Sequence, residues 1–330
     1  MQSFSQCMQE WLYGENGYYR HALIGMQGDF YTAVNSSAFF GGTLAFYLLS
    51  LLENGRLSLP LSVVEIGAGE GLLLSDVVGF LKDLSQGVLE HIRFISVEPL
   101  DRLVNLQKEK LAKRGVDLEC VACLENLELS QSVFIYCNEL WDSFPCEVID
   151  NSKKLYISHS KPIWQNLSSE EMYQIKAFYP AIKSDCLPLS WGDYITSLCN
   201  QLRGKKWIMV SFDYGQYGSY GGISLRGYRK HQVLSFQEIL DNLQGYYQKI
   251  DLTYDVDFKL LETLFLAQGA HTLFYGTQST TLLKMGLASL LELFHASAPF
   301  TTYQRESIKA RALINPEGFG ERFKGLIVGN

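Results

Sequence analysis

The sequence predicts an α/β protein built around a mostly parallel, doubly wound sheet. Short apolar segments of strand length alternate with helical segments between residues 60 and 145. The first strand runs directly into a glycine-rich turn, Gly67 to Gly71, and another strongly apolar strand follows at Lys206–Asp213. Strands that alternate with helices in this way form parallel sheets with helices on both faces.

The elements are predicted in order along the chain. Residues 1–59 are expected to be mainly helical, and the dense apolar pattern of Ser36–Glu53 is typical of a buried helix. The strands of the alternating region are predicted at Ser62–Ile66, Ile92–Val97, Leu118–Val121 and Val133–Cys137. The intervening helices are predicted at Leu72–Leu84 and Arg102–Arg114.

The alternation breaks after Pro145, where residues 146–204 are interpreted as an insertion. Its predicted elements are a hairpin, Cys146–Asp150 with Leu155–His159, and helices at Ser168–Tyr179 and Ser190–Leu202. After Lys206–Asp213 we expect a strand at His271–Tyr275, helices between Ser279 and Ala296, and a strand at Arg322–Val328. The expected domains are an N-terminal helical segment 1–59, a main domain of 60–145 and 205–330, and the inserted subdomain 146–204.

Composition limits the classes of function. Hydrophobic residues make up 47% of the 330 residues, and the net charge of −7 does not resemble a basic nucleic-acid footprint. No apolar run reaches the ~20 residues needed to span a bilayer. The chain shows no signal peptide, and its seven scattered cysteines favour reduced thiols, so a cytoplasmic location is expected. Cys120 and Cys123 have zinc-like spacing but no second pair downstream, so no metal is predicted.

The glycine-rich turn indicates which nucleotide the protein binds. Its pattern is G-x-G-x-G, with Leu72 where a dinucleotide fingerprint has its last glycine, and it lacks the lysine of a phosphate-binding P-loop. Glu65, two residues before Gly67, would repel a phosphate and attract an ammonium group. Glu98 ends the next strand, where an acid can accept hydrogen bonds from ribose hydroxyls. We therefore predict S-adenosylmethionine (SAM) as the cofactor; NAD or FAD, or a turn without any ligand, are the alternatives.

Seven segments distributed along the chain resemble the MidA-type SAM-dependent methyltransferases over roughly residues 25–328. These segments are Gly28–Ala33, Val64–Gly71, Val97–Pro99, Asn138–Pro145, Asp213–Gly215, Leu225–His231 and Asp251–Phe258. The sequence departs from the family pattern at residues 34–37, and at Ala68 and Glu70, where proline and arginine are common. These departures concern the substrate more than the cofactor.

The resemblance implies a class I, Rossmann-like methyltransferase fold with an inserted substrate-side subdomain. It also implies a protein-arginine substrate, because a mitochondrial member methylates an arginine of a respiratory complex I subunit, and it thereby suggests a link to respiratory complex assembly. The predicted cofactor-binding residues are Glu65, Gly67, Ala68, Gly69, Gly71, Glu98, Pro99 and Asn138, with Gly28, Asp29 and Thr32 as a lid. Asp29 as a helix cap is the alternative.

The candidate catalytic residues follow the fourth strand. A guanidinium needs carboxylates that hold it and accept its proton. If a helical turn begins at Asn138, Glu139 and Asp142 share one face and are the first choice for this task. In the alternative interpretation Asp142 caps a helix and Glu139 makes a structural hydrogen bond.

The later segments supply weaker candidates. Asp213 ends a strand and could position substrate or form a turn, and His231 could act as an acid/base or as a structural group. Arg226, Arg229 and Lys230 are interpreted as a solvated face. The tyrosines of this region could frame a channel for a flat cation or pack in a core: Tyr214, Tyr217, Tyr220 and Tyr228.

Two competing functions remain open at this stage. One is methylation of a small molecule, and the other is a SAM-binding assembly factor without turnover. The insertion favours a protein substrate, and its apolar surface is compatible with a homodimer.

Overall fold

The computed structural model describes residues 1–22, 33–125, 127–178, 184–230 and 232–330. Its strands are β1 (Gln2–Ser3), β2 (Leu61–Ile66), β3 (Ile92–Val97), β4 (Leu118–Val121), β5 (Ser132–Asn138), β6 (Glu147–Asp150), β7 (Lys153–Ser158), β8 (Lys161–Asn166), β9 (Ser184–Leu187), β10 (Lys206–Gln216), β11 (Arg226–Arg229), β12 (Gln232–Ser235), β13 (Asp251–Thr253), β14 (Val256–Asp257), β15 (His271–Thr277) and β16 (Phe323–Gly329).

Its helices are α1 (Phe4–Tyr13), α2 (Tyr18–His21), α3 (Ala33–Ser36), α4 (Phe39–Glu53), α5 (Leu72–Leu89), α6 (Asp101–Ala112), α7 (Ser169–Phe178), α8 (Trp191–Gln201), α9 (Phe236–Asp241), α10 (Leu243–Tyr246), α11 (Phe258–Ala267), α12 (Gln278–Lys284), α13 (Leu287–Ser297) and α14 (Phe300–Ile314). Among the described helices, none is long and apolar enough to cross a membrane.

The central sheet confirms the predicted fold class. Its strands lie in the order β15-β16-β10-β5-β2-β3-β4, and the five strands β10, β5, β2, β3 and β4 run parallel to one another. β15 and β16 are antiparallel to each other and make the sheet mixed. Every residue of β2 is buried, as expected for a parallel strand covered on both faces. The parallel strands of this sheet therefore lie where the sequence has the continuous apolar runs that predicted them.

Two compact units divide the chain. The first comprises Met1–Phe30, Trp141–Ile195 and Tyr214–Leu264, and the second comprises Tyr31–Leu140, Thr196–Asp213 and Phe265–Asn330. The boundaries differ from the domain limits expected from sequence, since the N-terminal segment 1–59 and the range 146–204 are each split between units. A substrate-binding role for 146–204 stays a prediction.

The unit that contains the central sheet is packed through closely approaching helices. In α4, a Cβ at Gly41 would lie 2.7 Å from the Asp76 Cβ of α5, and one at Gly42 would lie 2.7 Å from the Phe80 ring. The Phe40 ring packs edge-on against Phe212 of β10 at 5.0 Å. The prediction of a buried helix in this segment is confirmed, although the helix begins at Phe39 rather than Ser36.

The other unit contains two smaller sheets. One has the order β1-β7-β6-β9 with β8 paired to β7, and the other has the order β12-β11-β13. The predicted hairpin is confirmed as β6 and β7, which turn through Asn151 and Ser152 in left-handed conformations (φ 47° and 67°). Strands β8 and β9 were not predicted from the sequence.

Candidate functional site

The candidate site lies at the carboxyl edge of the central sheet. In the register of the strands, Glu65 of β2 is opposite Tyr136 of β5 and Ser96 of β3. Gly67, Glu98 and Asn138 therefore come two residues later at the same edge. Open α/β sheets bind their ligands at this edge.

The glycine-rich turn has a backbone that other residues adopt only under strain. Gly67, Gly69 and Gly71 have φ values of 71°, 52° and 74°, in the left-handed region. The Gly67 N–H donates to the Val97 carbonyl at 3.0 Å, and the Gly71 N–H donates to the Ala68 carbonyl at 2.8 Å. Gly71 is also the N-cap of α5, so the turn places a helix N-terminus at the sheet edge.

Glu65 is a buried carboxyl group that lacks part of its hydrogen bonding. Its side chain is 3% exposed, and Oε2 has no hydrogen-bond partner among the described residues. Burial raises the pKa of Glu65 to about 8, and the Tyr136 side chain and the Leu74 backbone N–H oppose this shift only in part. A carboxyl group in such a place is stabilised as an anion when a cationic ligand group reaches it.

Glu98 occupies a similar position after β3. It is buried, and its Oε1 accepts a hydrogen bond from the Leu100 N–H at 3.1 Å. Burial raises its pKa to about 7, while the hydrogen bonds from the Leu100 N–H and the Gln107 side chain lower it. Pro99 follows as an exposed residue, and Ala68 is buried within the turn.

Asn138 is the last residue of β5, and Glu139 follows it directly. The Asn138 Nδ2 donates to the Glu139 Oε1 at 3.0 Å, and the Asn138 Oδ1 is buried without a partner among the described residues. Glu139 has φ 52°, a left-handed conformation that is uncommon for a residue other than glycine. Its N–H donates to the Phe212 carbonyl at 2.9 Å. Asp213 is next along β10 and is fully buried.

The geometry corrects the argument that pairs Glu139 with Asp142. The helical turn of this segment is a 3-10 helix at Trp141–Ser143, so no helical face carries both carboxylates. Asp142 belongs to the other unit, where its Oδ2 accepts a hydrogen bond from the Thr253 hydroxyl at 2.6 Å. Burial raises the pKa of Asp142. These contacts agree with the alternative interpretation of Asp142 as a structural group.

The aromatic and basic residues after β10 are engaged with one another. The Arg226 guanidinium lies 4.7 Å from the centre of the Tyr214 ring and forms an ion pair with Asp255 at 2.8 Å. The interpretation of Arg226 as part of a solvated face is therefore wrong, whereas Arg229 and Lys230 are exposed. Tyr214 is buried and Tyr228 is partly buried, while Tyr217 and Tyr220 are more than half exposed.

Four predicted site residues lie outside the described residues: Gly28, Asp29, Thr32 and His231. One buried residue at the site was missed. Gln107 of α6 is fully buried, and its Nε2 donates to the Gly69 carbonyl at 2.7 Å. Its sequence signal is a polar residue between Leu103 and Leu111 at helical spacing, where an apolar residue is expected.

The residues present fit S-adenosylmethionine. Glycines have no Cβ, so a ligand can approach the backbone of the turn closely, and the turn has no lysine to hold a pyrophosphate. Glu65 Oε2 and Asn138 Oδ1 are buried acceptors without a hydrogen-bond donor among the described residues, and an amino-acid ammonium would supply such a donor. Glu98 stands at the end of the neighbouring strand, where ribose hydroxyls are bound in folds of this kind.

The fold and the site together define a nucleotide-dependent enzyme of the α/β class that uses a phosphate-free cofactor. Residues 43–276 match a family model described as "Putative S-adenosyl-L-methionine-dependent methyltransferase". The chain belongs to this family. It is accordingly a SAM-dependent methyltransferase of the MidA type, and S-adenosylmethionine is its cofactor.

The chain is also similar to curated proteins along most of its length. It is 24% identical to the mitochondrial protein arginine methyltransferase NDUFAF7 of Xenopus laevis, covering 93% of this chain and 76% of the relative. It is 25% identical to the Caenorhabditis elegans homologue, covering 73% of this chain and 62% of that protein. These relatives are named as mitochondrial, so the expected cytoplasmic location is contradicted.

A solved structure has the same fold. A protein from Burkholderia thailandensis, bound to S-adenosyl-homocysteine, superposes with a TM-score of 0.79 at 20% identity. The superposition covers 99% of this chain and 87% of that protein. The likeness confirms the methyltransferase fold that the sequence predicts.

Proposed function

We propose that this methyltransferase transfers methyl groups to an arginine side chain of a protein substrate. The observation that carries the proposal is Glu139, a carboxylate held in a left-handed conformation directly after the cofactor-site residue Asn138. The curated relatives, which are named protein arginine methyltransferases, support it at 22–25% identity. The link to respiratory complex assembly stays a prediction of the family resemblance.

The backbone of Glu139 supports a functional role. A non-glycine residue in a sparsely populated region of φ and ψ costs about 1–3 kcal/mol, and such residues cluster at active sites. Here the surrounding contacts enforce the conformation, because the Glu139 N–H is bound to Phe212 and the side chain to Asn138. These two hydrogen bonds would hold the carboxylate in position before a substrate binds.

The chemistry of arginine explains why a carboxylate is needed there. When bound, S-adenosylmethionine supplies an electrophilic methyl group on a sulfonium. The guanidinium has a very high pKa, so it arrives protonated. One of its nitrogens would form the new bond to the methyl carbon as the carbon–sulfur bond breaks and S-adenosyl-homocysteine leaves, and the guanidinium would lose one proton. Glu139 would hold the planar guanidinium, orient one nitrogen and accept that proton. Asp213, one residue beyond the Phe212 that is opposite Asn138, would act as a second negative group.

A labelling experiment with methyl-tritiated SAM and the purified enzyme tests the proposal. The enzyme is incubated once with a lysate depleted of small molecules and once with the separated small-molecule fraction. We expect label on protein, found as methylarginine by mass spectrometry, and at least a 100-fold loss of labelling in Glu139→Gln. The affinity for S-adenosyl-homocysteine should change less than threefold. Glu109→Gln, an exposed carboxylate on α6, is the matched control.

Other outcomes would contradict the proposal in separate ways. Label that appears only in the small-molecule fraction would indicate a small-molecule methyltransferase. Tight binding of S-adenosyl-homocysteine without any transfer of label would indicate a cofactor-binding factor without turnover. Unchanged labelling by Glu139→Gln would remove Glu139 from the reaction.

A further inference from the structure

A glutamine interrupts the apolar stripe of α6. Leu103, Gln107 and Leu111 follow at intervals of four residues, and all three are buried; Gln107 is 0% exposed. Burying an amide in place of an apolar side chain is unfavourable unless its hydrogen bonds are satisfied. The glutamine is only half satisfied, because its Oε1 has no partner among the described residues. A residue that serves stability alone would be leucine at this position.

The other half of the amide contacts the glycine-rich turn. The Gln107 Nε2 donates to the Gly69 carbonyl at 2.7 Å. The turn also packs directly on this side chain, since a Cβ at Gly71 would lie 2.9 Å from the Gln107 Cγ and 3.2 Å from its Cα. Gln107 thus holds the middle of the turn and defines the space available at its end.

The same side chain acts on Glu98. A hydrogen bond from Gln107 lowers the pKa of Glu98, against the larger effect of burial. The Gln107 side chain therefore holds the glycine turn after β2 and also acts electrostatically on the acid after β3. The turn and the acid follow different strands, so Gln107 relates two segments that are distant along the chain.

We propose that Gln107 is a positioning residue for the cofactor, which holds the glycine-rich turn through the Gly69 carbonyl and so presets the distance between the turn and Glu98. The inference rests on the cofactor site described above. Preorganisation of this kind increases affinity because the ligand does not have to order the two elements itself. The half-satisfied amide lowers the stability of the free protein, and its benefit appears only when the ligand binds.

The substitution Gln107→Leu separates these two effects. Leucine continues the apolar stripe and removes the unsatisfied acceptor, so the thermal stability of the ligand-free protein should stay the same or rise. The dissociation constant for S-adenosyl-homocysteine, measured by calorimetry, should rise at least tenfold. Gln107→Met keeps an unbranched side chain and controls for any disturbance of packing by the branched leucine. It should show the same rise in the dissociation constant. Leu111→Met on the same stripe is the control and should leave the affinity within twofold.

A double-mutant cycle with Glu98→Gln tests the connection itself. If Gln107 acts through Glu98, the loss of affinity in the double variant should be at least threefold smaller than the product of the two single losses. The inference would be overturned if the loss of affinity in the double variant equalled the product of the two single losses. It would also be overturned if both position-107 variants bound within twofold of wild type, or if their losses of affinity were matched by an equal loss of thermal stability. Unchanged binding in both Glu98→Gln and Gly69→Val would show instead that the cofactor site itself is misplaced.

Discussion

Replacing Glu65 by glutamine removes the charge that we expect to bind the ligand ammonium, while the shape of the side chain is kept. In the ligand-free protein, burial raises the pKa of this carboxyl group from 4.5 to about 8. At pH 7 the folded protein therefore carries a proton on Glu65 that the unfolded chain has released. Raising the pH from about 5 to about 8 consequently favours unfolding, by about 1.4 kcal/mol per pH unit from this group. The stabilising contribution of Glu65 to the folded state is fully present below pH 4.5 and is lost as the pH rises through 8.

Ligand binding reverses the preference of Glu65 for its neutral form. An ammonium group is bound by the carboxylate, so the wild type should release a proton from Glu65 when S-adenosyl-homocysteine binds near neutral pH. Between pH 6 and 7.5 this proton adds about a tenfold gain in affinity per pH unit. Glu65→Gln lacks that gain. At pH 7.5 the variant should bind about 30- to 1000-fold more weakly, which corresponds to about 2–4 kcal/mol for a charge pair that loses one partner.

Calorimetry measures both effects. Titrations at pH 6.0, 6.8 and 7.5, in buffers with different ionisation enthalpies, count the protons released by each protein. The contribution of Glu98, whose pKa is also raised, is present in both proteins and cancels in the comparison. Glu109→Gln serves as the control for loss of a negative charge. Equal proton release in wild type and variant, or affinities within twofold of each other, would refute this role of Glu65.

Three further predictions concern the candidate site and the unit that contains Asp142. Glu98→Gln should weaken the binding of adenosine and S-adenosyl-homocysteine alike, whereas Glu65→Gln should leave adenosine binding unchanged, as competition calorimetry can establish. Gly69→Val should abolish the thermal shift caused by S-adenosyl-homocysteine, because a β-branched residue at φ 52° distorts the turn; a shift of normal size would contradict this. Thr253→Val should lower the free energy of unfolding in urea by about 1–3 kcal/mol, because the buried Asp142 carboxyl group loses the hydrogen bond that the Thr253 hydroxyl donates. Since both residues belong to the other unit, cofactor affinity should not change, and a large change would argue against that assignment.

The parallel core of the fold could be predicted from the sequence. The bounds of β3 and β4 agree with the prediction to the residue, and β2 and β5 differ by one residue at their ends. Strands buried on both faces are continuous apolar runs, so local sequence identifies them. Glu65 and Glu98 were identified for the same reason, because the end of a recognised strand marks the sheet edge.

The features that were missed depend on contacts distant in sequence. β8 (Lys161–Asn166) is largely exposed and exists through its pairing with β7, which the polar sequence does not indicate. The surroundings of Asp142 depend on Thr253, which is 111 residues away along the chain. Gln107 was missed because its partner Gly69 lies on a different element, although the polar interruption of the α6 stripe was visible. The left-handed conformation of Glu139 has no local sequence signal.

The crystal structure of the complex with S-adenosyl-homocysteine tests the central claim most directly. We predict that the ligand ammonium lies within hydrogen-bond distance of Glu65 Oε2 and that the ribose hydroxyls reach the Glu98 carboxylate. The glycine turn should keep its left-handed φ values at Gly67, Gly69 and Gly71. Ligand density away from the carboxyl edge of β2 and β3, or an ammonium group bound by other residues, would contradict the account.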